Sequence, residues 1–206
     1  LSMGATLGVI KGMNKAMRLN EDKKPIVSVI GDGTFFHSGL PGFVNLLHQL
    51  DEEDNMTFII LDNRTTAMTG GQPTASSGRF NRKDDMDIDI KEVLRSFGLE
   101  NVREVDQFKY RETREAIRAA TKEQGISVII TTRPCTLKYK IKEGHYYVNP
   151  SICIGCRTCV KLNCPPIRMA KYEGIDDLKS FIDPDKCVGC SVCAQTCPVG
   201  AIKRSD

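Results

Sequence analysis

Tryptophan is absent from the 206 residues, histidine occurs three times, and aromatic side chains make up 6% of the chain. Lysine and arginine are scattered and not interleaved with rings, so the chain lacks the charged, stacking surface of a nucleic-acid binder. The formal charge of +3 counts cysteines as neutral. Metal-bound thiolates would make the protein more negative, so charge gives no support to a nucleic-acid partner. No run of about 18 apolar residues occurs, and nothing is expected to span a membrane. No signal-peptide pattern opens the chain, and no cysteine precedes Cys135. Those two absences weigh against the disulfide framework of a small secreted domain. What remains is 40% hydrophobic and 27% charged, ordinary for a globular protein, in a length that fits one or two domains.

Cysteine is concentrated at the other end. Cys187, Cys190, Cys193 and Cys197 read C-x2-C-x2-C-x3-C, with Pro198 next. Cys153, Cys156 and Cys159 repeat the C-x2-C-x2-C core, and Cys164 arrives after a four-residue gap, followed by Pro165. Zinc sites typically use two C-x2-C pairs per metal, whereas triplets with proline after the fourth cysteine fit iron–sulfur ligation. Eight thiolates suffice for two 4Fe–4S clusters, and in such pairs the fourth cysteine of each run ligates the other cluster. Cluster I is then expected on Cys153, Cys156, Cys159 and Cys197, and cluster II on Cys187, Cys190, Cys193 and Cys164. The longer gap before Cys164 is expected to lengthen that loop without changing the ligand count. Paired clusters move electrons one at a time, and their oxygen sensitivity points to a reducing cytoplasm and an anaerobic setting. Cys135, outside both runs, reads as a small buried hydrophobe at a strand end.

The first two-thirds alternate between strand and helix patterns. Residues 4–18 carry small and apolar side chains at helical spacing, and residues 25–30 are a short apolar run ending at Gly31, as in a buried parallel strand. A helical stripe follows over residues 39–50, then a second buried strand over 56–61 and a Gly/Thr/Ser-rich loop over 62–82. Helix, strand, helix and strand are expected over 90–97, 101–105, 111–122 and 127–131. This alternation argues for an α/β fold with a parallel sheet covered on both faces. The polar, tyrosine-rich stretch 138–149 reads as a link to the cysteine module. The expected division is residues 1–137 as the α/β domain and 138–206 as a small α+β module of bacterial-ferredoxin type, with a leading linker.

Open parallel sheets bind ligands beyond the carboxyl ends of their strands, and two such ends carry chemistry here. Gly31-Asp32-Gly33-Thr34 follows the first strand, its glycines allowing backbone to approach a phosphate and its aspartate offering oxygen to a cation. Asp62-Asn63-Arg64-Thr65 follows the second, with Asn63 placed 31 residues beyond Asp32. The Asp32 and Asn63 side chains with the Thr65 carbonyl form an oxygen set that suits Mg²⁺, whose remaining positions go to phosphate oxygens and water. Asp-Gly alone is a common turn dipeptide. Joined to an asparagine at the next strand end, it reads as a thiamine-diphosphate fingerprint.

The segments Gly31-Asp32-Gly33-Thr34-Phe35-Phe36-His37-Ser38-Gly39-Leu40-Pro41-Gly42 and Leu61-Asp62-Asn63-Arg64-Thr65-Thr66-Ala67-Met68-Thr69-Gly70-Gly71-Gln72-Pro73, followed by a two-cluster module, resemble the large subunit of indolepyruvate:ferredoxin oxidoreductase. The resemblance covers nearly the whole chain. It implies thiamine diphosphate, Mg²⁺, two 4Fe–4S clusters, an aryl 2-oxo acid, coenzyme A, an external ferredoxin and a small subunit. It also implies that Asp32, Asn63 and the Thr65 carbonyl hold Mg²⁺ while the amides near Gly33 and Thr34 face the diphosphate. The chain opens Leu1-Ser2-Met3-Gly4-Ala5, without an initiator methionine, and is expected to be a fragment or processed piece. Thiamine enzymes activate the cofactor with a glutamate on a pyrimidine-binding domain, so half an active site is expected here. Two other functions stay open: a related enzyme acting on pyruvate, 2-oxoglutarate or branched-chain oxo acids, and a non-enzymatic electron carrier.

Several further residues have two readings. His37 could take part in proton transfer or simply support the loop. Met68 could press on the cofactor, line a substrate pocket, or pack. Arg64 and Arg79 could bind a substrate carboxylate or stay solvated. His48 and His145 read as structural.

Overall fold

A computed structural model describes residues 3–22, 24–78 and 87–205. The chain divides into two compact units, Leu1–Gln107 with Glu112–Lys138, and Tyr139–Asp206 with the short stretch Phe108–Arg111.

In the first unit the apolar runs form a sheet of four parallel strands, β1 (Val27–Gly31), β2 (Asn55–Asp62), β3 (Val102–Val105) and β4 (Gly125–Thr132), in the order β1-β2-β4-β3. Side chains alternate across a strand, so Ile30, Met56, Phe58, Ile60, Ile126, Val128 and Ile130 share one face and form its core. Helix α1 (Thr6–Leu19) adds Leu7 and Ile10 to that core. The Phe43 ring, buried among them, lies 5.6 Å from Phe35 and 5.0 Å from Phe58 between centroids.

The sequence pattern starts the helix after β1 at Gly39; the structure starts it at Asp32. Helix α2 (Asp32–Thr34) passes through a π turn (Phe35–Gly39) into α3 (Leu40–His48). Phe35, Gly39, Phe43 and Leu46 are buried along this path, so the helical stripe extends back through the supposed turn. The wide turn ends two residues before Pro41, which has no N–H to give to the carbonyl four residues back and whose ring would crowd it.

Asp54, fully buried just before β2, ties α1 to the sheet. Its carboxylate accepts from Lys11 Nζ, from Asn14 Nδ2 at 3.1 Å, from Arg18 at 3.0 Å and from the Asp51 amide at 2.9 Å. Burial works to raise the Asp54 pKa, but the Asp51 amide, Lys11 and Arg18 hold it below the usual carboxylate range. Further α-helices are α4 (Ile90–Ser96), capped by the Asp89 side chain, and α5 (Tyr110–Ala120), whose residues from Glu112 onward belong to this unit.

The second unit holds two antiparallel pairs, β5 (His145–Val148) with β8 (Ile202–Ser205), and β6 (Ile167–Tyr172) with β7 (Ile175–Ile182). Part of the stretch expected as a linker is therefore a strand: Tyr146 pairs with Arg204 and Val148 with Ile202. Val148 turns into the core, which a polar, tyrosine-rich composition conceals. A short helix, α6 (Val192–Thr196), completes the unit. Among the described residues no helix is long and apolar enough to cross a membrane.

Candidate functional site

The register of β1 on β2 sets Gly31 level with Leu61, so the two following residues, Asp32 and Asp62, both leave the sheet at its carboxyl edge. Both are buried, at 2% and 8% exposure. Ser76 bridges them, with its Oγ 3.2 Å from Asp32 Oδ2 and 3.1 Å from Asp62 Oδ1. Thr74 Oγ1 donates to the same Asp32 oxygen at 3.2 Å, and the Arg64 amide donates to Asp62 Oδ1 at 3.1 Å. A hydroxyl carries one proton, so Ser76 satisfies one carboxylate at a time. Burial, and then the Asp32 charge, raise the Asp62 pKa. Two acidic groups out of water beside hydroxyl donors are a site that a divalent cation would relieve. The donor chemistry here fits Mg²⁺.

Asn63 and Thr65 lie on the adjoining turn. Asn63 Oδ1 accepts from the Thr65 amide at 3.1 Å, its backbone carbonyl accepts from the Cys135 amide at 2.9 Å, and Thr65 Oγ1 accepts from Lys138 Nζ at 3.1 Å. Cys135 is half-buried, against the expectation of a buried hydrophobe, because it lies beyond the end of β4 on the loop that braces Asn63. The two glycines of the first turn serve different ends. A Cβ on Gly33 would come within 2.5 Å of Thr66 Oγ1, whereas one on Gly31 would meet nothing within 4 Å. Gly33 is thus required by contact between the two turns. Gly31 leaves open space and, with Thr34, Thr6 and Val29, lines a cavity of ≈ 370 Å³.

The other candidates are more dispersed. His37 is exposed in the π turn, and Met68 is 84% exposed near the tip of a loop closed by the Thr66–Gln72 bridge. The Arg64 guanidinium is held by Asp87, and Arg79 lies outside the described residues. His48 is exposed at the end of α3 and His145 half-buried in β5. Sequence reasoning did not single out Asp62, Thr74 or Ser76. The available signal was the Thr74-Ala75-Ser76-Ser77 cluster, which folds as a capping box.

In the second unit the two cysteine runs repeat one backbone form. Gly155 and Gly189 have φ of 68° and 80°, and Arg157 and Ser191 have φ of 61° and 64°. In each run the positive-φ residues flank the second cysteine. The longer gap before Cys164 is taken up by a turn over Val160–Leu162 and by Asn163 at φ 53°, a left-handed position that asparagine tolerates. Cys153, Cys156, Cys159 and Cys197 line one pocket together with Val148, Ile154, Ser180 and Ile202. Burial and then the charges of Cys190, Cys187 and Cys164 push the Cys193 thiol up to about 12. Burial, Cys190 and Cys187 likewise raise Cys164. The fold therefore groups Cys197 with the first triplet and Cys164 with the second. Among the described residues no three His, Cys, Asp or Glu side chains are gathered closely enough to hold a single ion. The four pocket cysteines surround a space; they do not converge on a point.

Two family models match the chain. "Thiamine pyrophosphate enzyme, C-terminal TPP binding domain" covers residues 1–131 and "4Fe-4S dicluster domain" covers residues 145–202. With the parallel sheet, these matches bear out the expected α/β cofactor domain followed by a two-cluster module. "Indolepyruvate oxidoreductase subunit IorA" of Pyrococcus horikoshii is 36% identical over 222 residues, spanning 99% of this chain and 33% of the relative. The protein of the same name from Methanothermobacter thermautotrophicus is 39% identical over 206 residues, spanning 98% of this chain and 31% of the relative. The chain thus spans about a third of the length of these curated relatives. Among solved structures, the 2-oxoglutarate:ferredoxin oxidoreductase of Magnetococcus marinus, with 2-oxoglutarate, coenzyme A and succinyl-CoA bound, aligns at a TM-score of 0.53. That alignment has 20% identity and covers 65% of this chain and 46% of that one, a likeness of fold.

Proposed function

Since this chain belongs to the thiamine pyrophosphate enzymes, by their C-terminal TPP-binding domain, and carries a 4Fe–4S dicluster domain behind it, we propose that it is the cofactor-bearing part of a 2-oxoacid:ferredoxin oxidoreductase of the indolepyruvate type. The observation that carries this reading is the succession of the two modules in one polypeptide. Oxidative decarboxylation of a 2-oxo acid releases two electrons, and a cubane takes one at a time, so a thiamine site coupled to two clusters suits that reaction and few others. Bound at the carboxyl edge of the sheet, thiamine diphosphate supplies a carbon nucleophile and an electron sink for decarboxylation.

The chain's own residues hold and orient these groups. Asp32 and Asn63, with the Thr65 carbonyl, hold Mg²⁺. The buried pair of Asp32 and Asp62 supports this, because its charge needs a cation. Release of Asn63 Oδ1 from the Thr65 amide frees it to bind the metal. The amides of Gly33 and Thr34, at the start of a helix, face the diphosphate, and Gly31 keeps the approach open. Met68, exposed on its loop, would be free to pack against the cofactor. Cys153, Cys156, Cys159 and Cys197 hold one cluster and Cys164, Cys187, Cys190 and Cys193 the other, supported by the shared pocket and by the mutual charges within the second set. The rest of the large subunit, with its pyrimidine-binding portion, and a small subunit complete the enzyme. Coenzyme A takes the acyl group, ferredoxin the electrons, and the reducing cytoplasm suits the clusters.

The test is anaerobic reconstitution of the full-length large subunit with its small subunit, followed by dye reduction with a panel of 2-oxo acids. Arylpyruvates are expected to give the highest kcat/KM, and all turnover is expected to need thiamine diphosphate and coenzyme A. Preference for pyruvate, 2-oxoglutarate or a branched-chain oxo acid would reassign the substrate. Dye reduction with no 2-oxo acid at all would leave the electron-carrier reading standing.

A further inference from the structure

The two sets of cysteines differ in which polar groups lie against their sulfurs. In the set around Cys153, Cys156, Cys159 and Cys197, Ser180 Oγ lies 3.1 Å from Cys159 Sγ and Thr158 Oγ1 lies 3.4 Å from Cys156 Sγ. The Ala201 amide donates to Cys197 Sγ at 3.3 Å. In the other set, among the described residues, the Tyr146 amide donates to Cys187 Sγ at 3.4 Å, and no hydroxyl meets a sulfur. Among the described residues, one group of four sulfurs has two side-chain hydroxyls beside its backbone amides, and the other has backbone amides, of Tyr146 and Ala194, without a hydroxyl.

Ser180 is the informative member. It stands on β7 opposite Met169, is 2% exposed, and lies among apolar residues and cysteines. A buried hydroxyl normally has a good partner. With Cys159 as a thiol, the S–H points at Ser180 Oγ and the serine proton goes to Met169 Sδ at 3.7 Å, a weak acceptor. A sulfur bonded to iron has no proton and can only accept. The serine hydroxyl then has a better acceptor 3.1 Å away, and rotation about one bond brings its proton there. A donor aimed at a cluster sulfur stabilises the reduced, more negative state over the oxidised one and so raises the reduction potential. Burial strengthens the effect, because no water competes for the sulfur.

We propose that Ser180, supported by Thr158, sets the cluster on Cys153, Cys156, Cys159 and Cys197 at a higher reduction potential than the cluster on Cys164, Cys187, Cys190 and Cys193. The first electron to enter the pair then rests on the Ser180 side. Ser180 is a positioning residue that acts on electrons through the Cys159 sulfur. The inference rests on the crossed cluster ligation proposed above.

The test is a redox titration of the anaerobically prepared full-length subunit, followed by electron paramagnetic resonance. Cys156→Ser identifies which signal belongs to the first set. The unmutated protein is expected to hold about eight irons in two four-iron clusters and to show two separate potentials. Ser180→Ala is expected to lower the higher potential alone, at unchanged iron and sulfide content, and to move the electron of the singly reduced protein toward the other cluster. Ser180→Thr, which keeps the hydroxyl, is expected to restore both. Thr158→Val, at a more open site, gives the same shift on a smaller scale and serves if Ser180→Ala fails to load. Unchanged potentials in Ser180→Ala and Thr158→Val with both clusters present would overturn the inference and leave the cluster assignment intact, as would an equal shift of both clusters. An iron content near four would overturn the assignment and the inference together.

Discussion

Among the described residues, sixteen buried hydrophobic residues of the α/β unit form one core without a cysteine, whereas three of the seven buried core residues of the cluster unit are Cys159, Cys187 and Cys193. Cys153, Cys164 and Cys197 pack partly buried against that smaller core. The first unit would hold its cofactor at an edge, on turns that its sheet and helices already fix. The second unit would hold its clusters where another protein keeps its leucines. The difference teaches where each cofactor sits in the folding balance: at the edge a ligand adds to a stable fold, while in the small core it supplies the interior.

The largest effect should come from iron. Stripping it from the full subunit is expected to unfold the cluster unit and spare the α/β unit. Hydrogen exchange would then show lost protection over β5 to β8 and retained protection over β1 to β4. Lasting protection of the β6–β7 hairpin without iron would show that Ile167, Ile182 and Val148 are core enough on their own.

Next in size is Asp32→Ala in the full complex. It removes one of two buried carboxylates at the proposed metal site, and thiamine diphosphate with Mg²⁺ is expected to bind roughly 100-fold more weakly, about 3 kcal/mol. Iron content and cluster spectra should not change, because the cysteines lie in the other unit. Calorimetry and iron analysis on the same sample check both halves. Normal cofactor affinity would remove Asp32 from the metal.

A third effect probes the α/β fold without touching its site. Asp54→Ala takes away the acceptor shared by Lys11, Asn14 and Arg18 and is expected to cost about 2 kcal/mol. That is less than the ~3–5 kcal/mol of a wholly buried pair, since Lys11 and Arg18 keep some water. Asp54 is held below the usual carboxylate range, so its stabilisation is present above that range and is lost as pH falls through the lowered value. The unmutated α/β unit should therefore lose stability in acid more steeply than the variant. Parallel acid melts of the two would contradict the assignment.

How much of this was legible depended on range. The strands and both cysteine runs could be read because apolar periodicity and C-x2-C spacing are local signals. The helix start at Asp32 was hidden because Gly31-Asp32-Gly33 carries turn residues, and only the burial of Phe35 and Gly39 shows that the stripe runs back through them. Strand β5 was missed because a short segment with two adjacent tyrosines, Tyr146 and Tyr147, looks like a linker until β8 is known to pair with it. Asp62, Thr74 and Ser76 could not be found from the sequence, since 42 residues separate Thr74 from Asp32 and only the folded loop joins them. The crossed grouping of cysteines, by contrast, was read from the ligation rule for paired clusters, and in the structure Cys197 lines a pocket with Cys153, Cys156 and Cys159.

The smallest effect separates two reasons for one glycine. If Gly33 exists for the diphosphate, Gly33→Ala should weaken cofactor binding and leave the empty protein as stable as before. The structure gives a different reason: the new methyl would lie 2.5 Å from Thr66 Oγ1 and 3.3 Å from Thr66 Cβ. Gly33 has helical neighbours, and alanine there would otherwise gain up to about 1 kcal/mol in a helix. Contact with a β-branched side chain on a closed loop outweighs that gain, because Thr66 is held by its backbone pairing with Gln72 and cannot swing away. Gly33→Ala is expected to lower stability by about 1 kcal/mol without cofactor. Thr66→Ala removes the clashing oxygen and methyl, so the double variant should be more stable than Gly33→Ala alone, with a coupling of about 1 kcal/mol in a double-mutant cycle. Thermal unfolding of the four proteins, with and without thiamine diphosphate, measures the cycle. Additive losses, with the whole deficit appearing only when cofactor is present, would return Gly33 to the phosphate and leave the contact between the two turns incidental.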